Sequence, residues 1–417
     1  MKIALQTFGT RGDVQPYVAL GLELQARGHE VVVTAPKDFT DWIESFGLSA
    51  YPIDLDMGDY LREAESLGIM RNPLNAIRHW RRMIEPMLTA LIDVCVEGIG
   101  DADVVVAHPK TLFSAIGAEA AGALFVMSAP LPIIERTAEY PMPATFAKQH
   151  GRFWNRLSWM PLDHGMAPYK KRINELRAQY ELEPVSSRID YSTWMGRPAL
   201  RLIANSPHIL PRPSDWDEKV IMTGSWALPP STKALDPLLE AFLQAGEAPV
   251  YVGFGSMVAQ HPDRLVKAVV QGLKKAGLRG VIGRGWAELP ARASDHIHFI
   301  DSAPHEVLFK RCRALVHHGG AGTVAAGLQA GKPSLIVPFI ADQPWWAERL
   351  REQGLGPAAL KPGKISTKLF ARAIRELVDN KEWSERCEAV SEHMRNEHGT
   401  ARAADLIEAE AAIWKRR

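Results

Sequence analysis

The stretch Ala314–Gln343, ALVHHGGAGTVAAGLQAGKPSLIVPFIADQ, has the layout of a buried strand, a glycine-rich turn, a helix and a second strand. Ala314–Val316 is a short apolar run, and His317 to Gly322 forms the turn. Thr323–Ala330 carries apolar residues at helical spacing, Gly331–Lys332–Pro333 stops it, and Leu335–Val337 resumes an apolar strand. A helix that begins just after glycines presents unpaired N–H groups and the positive end of its dipole, with no side chain blocking close approach. Such a turn is either a plain strand-to-helix connection or an anion site, and a phosphate is the obvious guest. Two histidines before the turn and Asp342–Gln343 beyond the next strand favour the second reading. In an open parallel sheet, ligands gather at the carboxyl ends of the strands, so both groups belong to one rim.

Working outward, Lys2–Phe8 reads as a buried strand, Gly9–Asp13 as its turn and Val18 to Ala26 as a packed helix ended by Gly28. Glu30–Ala35 resumes as a strand. Further strands are expected at 104–107, 125–128 and, more weakly, 201–204. The second half repeats the layout, with a strand at 249–254, a turn at Gly255–Ser256, a helix at 265–276 and a strand at 280–283. A dinucleotide-dependent oxidoreductase would open in the same way. It would need GxGxxG and an acidic residue closing the second strand, whereas this chain has GTRGDV and Val33–Thr34–Ala35–Pro36.

HHGGAGT followed by GLQAGKPSLIVPFIADQPWWAERL resembles the nucleotide-sugar signature of GT-B glycosyltransferases. The resemblance is to the branch of sterol glucosyltransferases and bacterial glycosyltransferases of lipid and antibiotic aglycones. The opening FGTRGDVQPYVALGLELQARGHEV resembles the same branch. The resemblance implies an α/β fold of two doubly wound, Rossmann-like domains facing a cleft, with a last helix crossing back to the first domain. The proline-punctuated stretch after Asn205 sets the expected divisions: 1–213 for the acceptor domain, 214–395 for the donor domain and 396–417 for the returning helix. Ser384–Lys415 alternates charged and apolar residues at helical spacing, and Ile413–Trp414 is its expected anchor.

Composition agrees with an enzyme of small molecules. The 417 residues, 46% of them hydrophobic, suffice for two cores of roughly 200 residues each. A formal net charge of +1 and the lack of a long basic run give no case for nucleic acid. Cys95, Cys312 and Cys387 are odd in number and lack CxxC spacing, so neither a disulfide framework nor a zinc site is suggested. Met1 leads straight into an apolar strand and no long uncharged apolar run occurs, so a cytoplasmic protein is expected, with contact at a membrane surface still open.

Transfer of a sugar from a nucleoside diphosphate needs stabilisation of the leaving charge and a base for the acceptor hydroxyl. By resemblance, His317 contacts the diphosphate, and Gly320, Ala321, Gly322 and Thr323 supply backbone and hydroxyl donors. Ser256 adds a donor from the facing turn, and Asp342 and Gln343 hold sugar hydroxyls; Thr10, Arg11 and Gly12 are expected at the donor, Arg11 either steering the diphosphate or pairing with Asp13. An imidazole N–H suits a phosphate oxygen, and a carboxylate beside an amide brackets vicinal hydroxyls. His318 is either a donor contact or packing. Asp13 is the expected base, with capping of the next helix as its alternative role.

The expected reaction is inverting transfer of a hexose, glucose from UDP-glucose, to a hydroxyl of a hydrophobic acceptor such as a sterol. No DxD-type acidic pair stands out, so neither a metal nor a cofactor is expected beyond the sugar nucleotide, itself a co-substrate. The alternatives are transfer of a TDP- or UDP-sugar to a polyketide or other aglycone, and a nucleotide-sugar-binding protein without turnover. Plant enzymes of the superfamily stack a tryptophan on uracil, and Ser302–His305 has none, so thymidine is the second expectation for the base. The acceptor should be met by two irregular regions. Residues 70–96 carry Arg78, Arg81 and Arg82, and residues 130–166 carry Met142, Trp154, Trp159, Met160 and Met166; such residues serve either an apolar guest or the domain's own packing.

Overall fold

The computed structural model describes the chain except for residues 70–74, 76–77, 144, 161–168, 186–191, 230–233, 256–261, 285–293 and 417. Fourteen strands are described: β1 Lys2–Gln6, β2 Glu30–Pro36, β3 Ser49–Ile53, β4 Val104–Ala107, β5 Leu124–Ala129, β6 Thr193–Trp194, β7 Arg197–Pro198, β8 Arg201–Ile203, β9 Val220–Met222, β10 Val250–Gly253, β11 Gly280–Gly283, β12 Ile297–Ile300, β13 Ala314–His317 and β14 Ser334–Ile336. They make two parallel sheets and a small hairpin. The first sheet runs β3-β2-β1-β4-β5-β8-β9 and the second β12-β11-β10-β13-β14. Each begins at an inner strand, builds outward on one side and then returns to the other. The chain therefore reverses direction between β1 and β4 in the first domain and between β10 and β13 in the second. At such a reversal the two flanking connections leave on opposite faces, and a crevice opens at the strand ends.

The inner strands are largely apolar, as a sheet covered on both faces requires. Val104, Val105, Val106 and Ala107 are all buried, as are Val250, Val252, Leu315 and Val316. In the two parallel sheets, three strands lacked a recognisable signal, β3, β9 and β12, and each lies at a sheet edge; the small hairpin β6–β7 had none either. Because β9 still belongs to the first sheet, the chain crosses to the second domain after Met222 and before the helix Pro237–Gln244, somewhat after the proline-punctuated stretch.

Ser384–Lys415 is two helices, Lys381–Arg395 and Gly399–Trp414, separated at His398, whose φ of 46° is left-handed. The break is built by close packing. A Cβ on Gly399 would lie 2.5 Å from the Ser225 carbonyl oxygen, and one on Gly224 would lie 2.7 Å from Glu397 Oε2. The Glu397 carboxylate accepts from the Ser206 hydroxyl, so both interdomain crossings meet at one point.

Beyond it, Gly399–Trp414 lies on the first domain. Ala403, Ala404, Ile407 and Ala411 enter its core, Arg27 binds Asp405 and Glu408, and Trp414 donates through Nε1 to the Gly122 carbonyl at 3.0 Å. Trp414 alone is the anchor, since Ile413 is exposed. A shared apolar cluster joins the domains, with Tyr140, Trp159, Trp216 and Met222 on one side and Leu328, Trp345, Trp346 and Met394 on the other. Complete burial of such a side chain contributes about 2–3 kcal/mol, so this junction is a firm seat. Among the described residues, no helix is long and apolar enough to cross a membrane.

Candidate active site

The two reversal points face each other. After β13 the chain turns through Gly319, with φ of 93°, where a Cβ would also meet Ile336 Cγ2 at 2.7 Å. Gly320 is the N-cap of the helix Ala321–Gln329, so the amides of Ala321 and Gly322 are at its open end and lack intrahelical acceptors. A Cβ on Gly322 would stand 3.7 Å from the Cα of Gly12, at the start of the opposing helix Arg11–Ala26. Glycines on both sides thus let two helix N-termini approach across the cleft. This brings Thr10, Arg11, Gly12 and Asp13 to the rim that also holds His317, Gly320, Ala321, Gly322 and Thr323.

His317 ends β13 fully buried. Its Nδ1 accepts the Gly319 N–H at 3.1 Å, which leaves the proton on Nε2, and Nε2 has no hydrogen-bond partner among the described residues. Burial holds its pKa well below the ordinary value, with His318 and His305 adding to the effect. The ring is therefore a neutral donor with an unused N–H. His318 is half-buried between two turns: a Cβ on Gly320 would meet its Nε2 at 2.6 Å, and one on Gly255 its Cε1 at 3.4 Å. Burial lowers its pKa to about 4. Its surroundings are those of a spacer between the connections after β10 and β13.

Asp342 is the N-cap of the helix Gln343–Glu352, following Ala341, whose φ is 53°. Burial raises its pKa to about 6, and the charge of Asp13 adds to the rise. Gln343 is buried, and its Oε1 accepts from Phe339 N at 2.7 Å and Ile340 N at 3.1 Å, so its carbonyl shapes the loop after β14. Ser256 lies outside the described residues. Arg11 stacks over the Trp42 ring at 4.6 Å and donates to Gln15 at 3.1 Å.

Asp13 is inside the first turn of its helix, not ahead of it: Thr10 is the N-cap, and Asp13 Oδ2 accepts the Thr10 N–H at 2.9 Å. One carboxylate oxygen thus serves the helix start, as the alternative reading anticipated. The other faces Lys110, whose Nζ donates to Oδ1 at 2.8 Å, with His108 Nε2 at 3.6 Å from the same atom. Burial pushes the Asp13 pKa up, but Lys110, His108 and the hydrogen bonds together outweigh it and hold the carboxyl below its usual value. Gly9, with φ of 135°, is required beneath this cluster, since a Cβ would lie 2.1 Å from Asp13 Oδ2.

His108 and Lys110 escaped the sequence reading. They follow β4, and only the pairing of β1 with β4 sets them beside Asp13. His108 is buried, its Nδ1 accepts the Lys110 N–H at 3.0 Å, and burial lowers its pKa to about 3, partly opposed by Asp13. Its Nε2–H is consequently turned toward the carboxylate, a neutral group that orients a charged one.

Of the two proposed acceptor regions, Trp159 is core: it is fully buried and donates to the Tyr140 carbonyl at 3.3 Å. Met142 is half-buried against the same cluster, while Trp154 and Met160 are exposed. Met166 and residues 70–74 and 76–77 lie outside the described residues, and Arg78, Arg81 and Arg82 are exposed, with Arg82 donating to Glu63 at 3.0 Å.

Comparison with known proteins agrees with this two-domain fold. Residues 3–138 match the glycosyltransferase family 28 N-terminal domain, and residues 284–408 match the C-terminal domain of the erythromycin biosynthesis protein CIII-like family. Two sterol 3-beta-glucosyltransferases of Arabidopsis thaliana, UGT80A2 and UGT80B1, are each 32% identical over 97% and 98% of this chain, which spans 64% and 68% of their lengths. The fungal sterol 3-beta-glucosyltransferase of Leptosphaeria maculans is 32% identical over 98% of the chain, which spans 28% of that protein. The chain therefore falls short of two thirds of UGT80A2 and covers under a third of the fungal protein. Among solved structures, the glycosyltransferase of kitacinnamycin superposes with a TM-score of 0.71 at 19% identity over 98% of both chains. CalG4, the calicheamicin glycosyltransferase, gives 0.71 at 20% over 98% of this chain and 97% of its own. These likenesses establish the GT-B fold. With a family model matched in each half and a third of its residues shared with UGT80B1 along nearly its whole length, the chain belongs to the glycosyltransferase family that contains the sterol 3-beta-glucosyltransferases.

Proposed function

We propose that the protein transfers a hexose, glucose from UDP-glucose, with inversion to a hydroxyl of a hydrophobic acceptor such as a sterol. The observation that carries this reading is the pairing across the cleft: a buried, neutral His317 with an unused Nε2–H and an open helix N-terminus face an ionised Asp13. In the proposed reaction the acceptor oxygen attacks the anomeric carbon from the side opposite the nucleotide. The bond from that carbon to the β-phosphate oxygen breaks as the new glycosidic bond forms. The hydroxyl proton passes to Asp13, and the negative charge that stays on the diphosphate is met by His317 Nε2–H and the Ala321 and Gly322 amides. Asp342 accepts from sugar hydroxyls, and the Gln343 side chain holds the loop that presents it. No cation or cofactor is invoked, because these donors meet the leaving charge.

The ion pair with Lys110 leaves Asp13 a weak base in the resting site. Proton transfer concerted with bond breaking, in a cleft closed against water, removes the need for a strong one. His108 and Lys110 serve as positioning residues, fixing Oδ1 toward the cleft. The sterol preference is supported by the named activity of the relatives and is a proposal for this protein. A second reading, transfer of a TDP-sugar to an antibiotic-type aglycone, is favoured by the match of residues 284–408 to an erythromycin biosynthesis family.

The two are separated by incubating the purified chain with UDP-glucose or TDP-glucose and either a sterol or a flexible polyphenol, and weighing the products by mass spectrometry. The first reading predicts steryl glucoside from UDP-glucose at the highest kcat/KM. Product from TDP-glucose and the polyphenol alone would replace it with the second, and the absence of both transfer and donor hydrolysis would leave a binding protein.

A further inference from the structure

The segment from Tyr140 to Leu162 contains Lys148, Arg152 and Arg156 and no acidic residue. Within it lies the short helix Arg152–Leu157, in which the polar Asn155 is buried while the apolar Phe153, Trp154 and Leu157 are exposed. Asn155 is buried, donating to the Ala138 carbonyl at 3.0 Å and accepting from His150 N at 3.2 Å. Ser158 is buried as well, accepting from Met142 N at 2.8 Å, and Trp159 closes the inner face. Positions 155, 158 and 159 share one helical face, so 153, 154, 157 and 160 are turned away from it. Phe153 is 71% exposed, Trp154 55%, Met160 49% and Leu157 40%, and nearby Phe146 is 46% exposed.

Single exposed apolar residues are ordinary; five within fifteen residues are not. Among the described residues, the other large exposed apolar side chains are scattered singly, as at Leu238. The patch is held firmly, since Trp159 is rooted in the interdomain cluster and Arg349 donates to the Ala147 carbonyl at 3.5 Å. Lys148, Arg152 and Arg156 are exposed around it and make no ion pair within 4.0 Å among the described residues. Arg152 acts on Asp215 and Lys148 on Glu348 only at longer range.

We infer that this face docks on an anionic lipid bilayer. Aromatic side chains with a tryptophan sit at the depth of the headgroups and acyl boundary, and arginines and lysines beside them meet the lipid phosphates. A protein partner of ordinary composition would leave three unpaired cations at the rim of an apolar contact; an anionic membrane pairs all three. The attachment is peripheral, through one short helix and its flank. It does not depend on which sugar or alcohol the enzyme uses.

The test is flotation of the full chain with phosphatidylcholine vesicles, with and without about 30 mol % phosphatidylserine. Three variants accompany the wild type: Phe153→Ser/Trp154→Ser/Leu157→Ser, Arg152→Glu/Arg156→Glu, and the distant control Leu238→Ser. Because all these side chains are exposed, unchanged thermal melting verifies the fold. The wild type and the control should float with the anionic vesicles and little with the neutral ones, and each patch variant should lose about tenfold or more in binding. A wild type that stays in solution with both vesicles overturns the inference, as does equal binding by the triple variant or equal loss in the control. A wild-type dimer on gel filtration that the triple variant dissolves would overturn it in favour of a second copy of the chain.

Discussion

The turn after β1 and the turn after β13 have the same plan: a buried parallel strand, a glycine with positive φ, and a helix whose first amides open onto the cleft. Their side chains make them opposites. Around the second, His317 and His318 are neutral, and the helix dipole is left uncompensated. At the first, Asp13 fills its own helix start by accepting the Thr10 N–H, and Lys110 balances the carboxylate. The second helix start is thereby left open, and the first is filled by its own carboxylate. Neither backbone geometry nor glycine content distinguishes them. A single carboxylate in the first helical turn does, and in the proposed reaction that difference divides the labour between the two domains.

The comparison is broken most strongly at His317. Replacing it by Ala removes the Nε2 donor and strands the Gly319 N–H, and a hydrogen bond to a charged group contributes about 1.5–3 kcal/mol. Affinity for UDP, measured by calorimetry on the folded variant, should fall by about 10- to 100-fold, and the unpaired buried amide should lower thermal stability as well. Unchanged affinity would remove His317 from the anion site.

At the opposite turn, Lys110→Met leaves Asp13 buried without its main counter-charge, so its pKa rises. At pH 6 the variant should be slower by about tenfold, and its rate relative to the wild type should increase toward pH 9, where the carboxylate is again ionised and is a stronger base. A ratio that stays constant from pH 6 to 9 would mean that Lys110 only supports the structure.

The smallest effect sharpens the account and concerns stability. Asp342 has a folded pKa near 6, above its unfolded value, because burial disfavours its charge. Its ionisation therefore costs stability above pH 6, and the cost vanishes as pH falls through 6 toward 4. Asp342→Asn should be more stable than the wild type at pH 7.5, by on the order of 1 kcal/mol, with the gain fading toward pH 4. Denaturant melts across that range check the sign; a destabilised variant at pH 7.5 would show that the charge is needed for the fold. Sugar-donor KM should worsen in the same variant, as expected where stability is given up for binding.

How far the sequence reaches is also set by these turns. The glycine turns and inner strands were legible because both are local: a positive φ selects glycine, and two-sided burial demands an unbroken apolar run. The edge strands β3, β9 and β12 were not, since an edge is buried less and tolerates residues such as Pro52, His298 and the half-buried Ile221. The break at His398 was hidden by a continuous amphipathic pattern, and its cause, close contact of Gly399 with Ser225, is purely tertiary. His317 and Asp13 could be named from their motifs. His108 and Lys110 could not, because they meet Asp13 only through the strand order, nearly a hundred residues along the chain.

The most direct measurement of the division between the turns is to compare UDP binding and single-turnover transfer in Asp13→Asn, with folding verified by its melt. UDP should bind as tightly as to the wild type, within about twofold, while transfer slows by about 10²- to 10⁴-fold, the contribution of a positioned base. Wild-type transfer in Asp13→Asn would contradict the account, because a carboxylate that can be neutralised without loss is not the group that takes the acceptor's proton.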